Sequence, residues 1–125
     1  MQSHKLWLAK AESDLRASVK LVTDEFVWDV AIYHTQQCAE KALKAFLAYS
    51  KRPLEKTHNL AKLLELCMVL DPEFISLRDE AEVLTPFLTA FRYPDVELFP
   101  EKQVLDDAIV KARRILTFVQ EKINR

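Results

Sequence analysis

An all-α fold, an up-and-down bundle of about five helices, follows from three features of this sequence. Its 125 residues include no glycine. Apolar residues recur at steps of three and four along nearly the whole chain. The segments carrying that period are separated by short breaks built on Pro, Asp, Asn and Thr. Glycine supplies positive φ in hairpins and close backbone approach in phosphate loops. Without it, P-loops, dinucleotide fingerprints and nucleophile elbows are excluded, and most β-architectures are disfavoured.

The first helix is expected from about Ser3, a suitable N-cap, to Val22, with Trp7, Ala11, Leu15, Ser18 and Val22 as its stripe. Thr23-Asp24-Glu25 breaks the pattern, and either Asp24 or Thr23 caps a second, longest helix over roughly Phe26 to Ser50. On it, Ala31, Cys38, Ala42, Ala45, Phe46 and Tyr49 share one apolar arc. Pro53 forces its end, because proline disfavours helical geometry at the preceding residue. After the connection over 51–56, Thr57 reads as the N-cap of a third helix that buries Leu60, Leu63, Leu64 and Cys67. Asp71-Pro72-Glu73 is a cap, an N1 proline and an acid suited to the helix dipole. Phe74, Leu77, Ala81 and Leu84 follow at helical spacing, and Thr85-Pro86 kinks this segment or starts a short one through Phe91. Pro100 opens the last helix, with Val104, Ala108, Ala112, Ile115, Val119 and Ile123 as its core stripe.

The length fits a single domain over residues 1–125. No apolar run approaches the ~20 residues of a membrane span, and no signal-peptide pattern opens the chain, so a cytoplasmic location is expected. Cys38 and Cys67 are too few and too far apart for a disulfide framework or a cysteine-pair metal site, and read as buried thiols. The net charge of −1 argues against a dedicated polyanion binder. Charge is nevertheless segregated. Residues 41–62 hold six Lys/Arg against Glu55 alone, and residues 71–82 hold five acids against Arg78 alone.

His34, Gln37, Lys41 and Lys44 lie three, four and three apart, on one stripe of the long helix beside its apolar arc. Two readings stand. The stripe is a solvated face with Glu40 paired to Lys44, or it offers donors and positive charge to an anion. No HExxH, ExxH or His-x3-His spacing joins a histidine to a carboxylate on one helix face, so no metal site is expected. His58, just after the Thr57 cap, either satisfies backbone and solvent or contacts a ligand. Arg92-Tyr93-Pro94-Asp95 either presents a charged and an aromatic residue for recognition or finishes a helix, with Arg92 on its last carbonyls.

These pieces together resemble the HEPN domains, helical bundles named for suspected nucleotide binding. The matching elements are Trp7 with Ala11-Glu-Ser-Asp-Leu15, then His34-x-Gln-Gln-x-Ala-Glu-Lys-Ala-Leu-Lys44, Thr57-His58-Asn59-Leu60 and Arg92-Tyr93-Pro94-Asp95. The resemblance implies a homodimer, often encoded beside a small nucleotidyltransferase in a toxin–antitoxin-like pair, and related to nucleotidyltransferase substrate-binding bundles. Ribonuclease members carry Arg, four to six residues, then His. After Arg92 those positions hold Glu97, Leu98 and Phe99, so the ribonuclease activity is not carried over. Arg52 to His58 has the count, but in the loop after the second helix, and reads as coincidence. The expectation is therefore a non-catalytic nucleotide-binding or accessory protein with no cofactor. Its site comprises His34, Gln37, Lys41, Lys44, His58, Arg92, Tyr93 and Asp95, with Lys41 and Arg92 on phosphate oxygens. Otherwise Lys41 or Arg92 pairs with Asp95 or Glu40 and fastens the loop to the helix. The rivals are a ribonuclease with a non-standard centre and a structural dimerisation module.

Overall fold

Five α-helices and three 3₁₀ turns make up the described residues, with no strand among them. The computed structural model describes residues 3–94 and 97–124. The helices are α1 (Ser3–Leu21), α2 (Trp28–Tyr49), α3 (Leu60–Leu70), α4 (Arg78–Leu84) and α5 (Lys102–Ile123). The all-α bundle expected from the sequence is the fold observed.

The α1–α2 pair is antiparallel, and its cross-links show the register. Ser18 donates to the Ala31 carbonyl at 2.7 Å, Asp14 faces His34 and Lys41, and His4 meets Tyr49 edge-on at 5.2 Å. As residue numbers fall on α1 they rise on α2. The tight turn between them is set by Asp24, whose side chain accepts from the Phe26 amide, and by the Trp28 indole, which donates to the Val22 carbonyl. Residues 25–27 form a 3₁₀ turn, so the α-helix proper starts two residues later than the periodicity indicates.

α2 is the hub and touches all four other helices. Thirteen of its residues are buried, from Ala31 to Leu47. Cys38 and Cys67 lie in these contacts, with their thiols near the Ala112 and Leu43 carbonyls. Phe46, Phe74 and Phe118 pack ring against ring between α2, the turn before α4 and α5. Lys122 reaches Asp71 at 2.8 Å and Glu73 at 3.0 Å, fastening the end of α5 to that turn.

Four local expectations are corrected. The N-cap of α3 is Asn59, which accepts from the Lys62 amide; Thr57 instead accepts from the Asn59 amide, one turn earlier. Residues 72–77 and 85–88 are 3₁₀, leaving α4 as a short α-helix between two prolines' turns. On α5, which starts at Lys102 rather than at Pro100, Leu105 is buried and Val104 exposed, since the buried face continues from Ala108 through the residue three before it and not the one four before. Tyr49 sits at the exposed end of the apolar arc.

Candidate functional site

The stripe on α2 is neither a solvated face nor a set of free cations. Lys44 is only 7% exposed. Its ammonium lies 3.1 Å from Glu40 Oε2 and 5.5 Å from the Trp7 ring centroid. Lys41 Nζ lies 2.7 Å from Asp14 Oδ2, and His34 Nδ1 lies 2.7 Å from Asp14 Oδ1. Asp14 is thus held from both sides by residues of the neighbouring helix. The expected pairing of Lys41 or Arg92 with Asp95 or Glu40 is replaced for Lys41 by this contact to α1. Asp95 lies outside the described residues.

A second clamp repeats the chemistry one turn along α2. Glu40 takes Lys44 on one oxygen, and the His58 ring approaches both of its oxygens at 3.0 and 3.1 Å. His58 precedes α3 rather than standing in its first turn. Its carbonyl accepts from Gln36 at 3.2 Å, and Gln37 donates to Gln36 at 2.7 Å. A polar seam therefore runs along α2, built from two buried carboxylates, two lysines, two imidazoles and an amide pair. Each imidazole turns Nδ1 to a carboxylate, which leaves Nε2 without a hydrogen-bond partner among the described residues.

Arg92 comes to the same helix one residue from His34. Its guanidinium carbon lies 4.4 Å from the Tyr33 ring centroid, a cation–π stack, and Nη1 reaches the Leu88 carbonyl at 3.4 Å. Phe91 holds this turn at φ 65°, a left-handed conformation uncommon for a bulky residue. Stacking of Phe91 on Phe87 at 6.4 Å helps to hold it there. Tyr93 follows, 70% exposed. So the structure brings His34, Gln37, Lys41, Lys44 and His58 into one seam, with Arg92 at its edge and Tyr93 projecting beyond.

Sequence reasoning missed Asp14, Gln36, Trp7 and Tyr33 as members. Asp14 carried a signal, since it stands at helical spacing with Ala11, Leu15 and Ser18 and so is an acid on a buried stripe. Burial would raise its carboxyl, but hydrogen bonds from His34 and Lys41, with their charges, hold it below the usual carboxylate value. Burial pushes the Cys38 thiol up to about 12, which removes it as a nucleophile near neutrality.

One cleft adjoins the seam and larger ones lie away from it. A small one of about 60 Å³ lies beside Trp7, Lys44 and Arg52. Open grooves of about 440 and 410 Å³ flank Arg113 on α5. Neither groove includes His34 or Arg92. No group of three His, Cys, Asp or Glu among the described residues is arranged to hold a metal, and no helix there is long and apolar enough to cross a membrane.

The profile of the HEPN domain family matches residues 4–123. Two crystal structures are similar over almost the whole fold. That of an archaeal HEPN homologue is 28% identical with a TM-score of 0.78, covering 98% of this chain and 99% of the other. That of a protein from Thermus thermophilus is 27% identical with a TM-score of 0.79, again covering 98% and 99%. No curated protein matches the sequence significantly.

Proposed function

This chain belongs to the HEPN domain family, and from that premise we propose that it is a non-catalytic, nucleotide-binding subunit that serves a small nucleotidyltransferase. One observation carries the reading. Arg92 lies over the Tyr33 ring beside the His34 seam, with the exposed Tyr93 next to it. A guanidinium and aromatic faces gathered at one place suit a phosphate and a base. The residues that follow Arg92 at ribonuclease spacing are Glu97, Leu98 and Phe99, none able to exchange a proton near neutral pH as an imidazole does. Binding without cleavage is the chemistry this segment supports. A homodimer in a toxin–antitoxin-like pair, working in the cytoplasm, belongs to the same proposal.

A second reading has its own observation. His34 is oriented by a buried carboxylate through Nδ1, as general bases are, and stands next to the residue Arg92 covers. A ribonuclease centre made of His34 and Arg92 would need both. Incubation of the purified protein with labelled RNA decides between the two. The RNA is expected to stay intact. Cleavage by wild type that disappears in both Arg92→Ala and His34→Ala would establish the enzyme instead. Co-expression with a minimal nucleotidyltransferase should give a complex on size-exclusion chromatography, and separate elution would remove the accessory role.

A further inference from the structure

Resting on the nucleotide-binding reading, we infer that the site takes a nucleoside monophosphate and gives little advantage to di- or triphosphates. Lysines spaced along one helix stripe invite a polyphosphate, yet both are engaged within the fold. Lys41 is 2.7 Å from Asp14, and Lys44 is 3.1 Å from the buried Glu40. Each lysine is thus matched by a carboxylate of the fold. Arg92 is the one cation of the cluster with no carboxylate partner among the described residues. A β- or γ-phosphate therefore brings further negative charge that neither lysine is free to meet. Drawing Lys41 away to meet it would strand the Asp14 carboxylate, buried and half-satisfied, in exchange for an exposed and screened pair.

What the cluster offers instead is aromatic surface for a base. Tyr33 lies under Arg92, Tyr93 is 70% exposed, and Phe26 is 76% exposed while touching Phe99 at 5.4 Å. Phe26 belongs to the 3₁₀ turn that leads into α2, seven residues before Tyr33. Affinity at this end should come from the base and a single phosphate.

Isothermal titration calorimetry of the full chain with AMP, ATP and ribose 5-phosphate, in magnesium-free buffer, tests this. ATP and AMP are expected to bind within about fivefold of each other, although ATP carries roughly twice the charge. Ribose 5-phosphate should bind at least about tenfold more weakly than AMP, since it lacks the stacking base. ATP binding more than about fivefold tighter than AMP overturns the inference and leaves nucleotide binding standing, as does ribose 5-phosphate matching AMP. Binding of none of the three sinks both. Asp14→Asn releases Lys41 and should raise the ATP-to-AMP preference several-fold. An unchanged ratio in a variant that retains native circular dichroism counts against the inference. If that variant does not fold, the wild-type ratio decides.

Discussion

Asp14 joins α1 to His34 and Lys41 of α2, and its chemistry fixes the sign of a pH effect. Its folded pKa lies below the ordinary value because His34 and Lys41 outweigh the desolvation that opposes them. A group lowered on folding contributes stability that is fully present above its unfolded pKa, about 3.9, and is lost as pH falls through the folded value. Asp14→Asn is expected to cost about 2–3 kcal/mol at neutral pH, because it leaves Lys41 and His34 beside a group that no longer carries charge. Below pH ~4 the difference between variant and wild type should shrink. Urea unfolding at neutral and acid pH reads both, and an equal deficit at the two would refute the ion-pair account. The same contact means that Lys41 tethers α2 to α1. Loss of binding in a Lys41 variant is therefore informative only alongside its melting temperature.

At the scale of an element, the end of α2 shows how a chain without glycine stops a long helix. Lys51 takes φ 60°, its amide bonds the Ala48 carbonyl at 3.0 Å, and the Arg52 amide bonds the Leu47 carbonyl at 2.9 Å. This pairing is a Schellman motif, with lysine at the left-handed position that glycine usually fills. The Cβ costs energy there. Lys51→Gly is expected to stabilise the protein by about 1 kcal/mol, raising the melting temperature by a few degrees. A lower melting temperature would mean that the Lys51 side chain contributes something the backbone geometry does not reveal. Phe91 carries the same kind of strain at φ 65°, but immediately before Arg92. There the turn sets the direction from which the guanidinium reaches Tyr33.

For the whole molecule, the position of α2 at the centre has a thermodynamic consequence. All four other helices contact α2, α1 and α5 most extensively, so the bundle keeps no complete core once α2 leaves. Trp7 lies near the C-terminal half of α2, against Lys44, while Trp28 is its first residue. Tryptophan fluorescence and far-UV circular dichroism should therefore report superimposable unfolding curves in denaturant. Separate transitions would show that one end of the bundle opens independently of the other.

The sequence alone determined the helices, because their signals are local. The spacing that buries Leu60, Leu63, Leu64 and Cys67, or Phe74, Leu77, Ala81 and Leu84, is complete within each segment. Caps such as Asp24 and Asp71 bond amides only two residues away. Starts could slip by a residue or two, as the beginning of α2 at Trp28 rather than Phe26 shows, because the stripe constrains a face more firmly than an end. The family resemblance was legible for the same reason, in motifs read along the chain. Pairing of the charges was not. Glu40 with Lys44, four apart on one helix, could be read; Asp14 with His34 and Lys41 spans 20 and 27 residues. Helix periodicity says that a lysine stands beside the apolar arc, but only the antiparallel register of α1 on α2 supplies the carboxylate that meets it. Partner choice between distant charges depends on which faces the packing brings together, and that is decided in three dimensions.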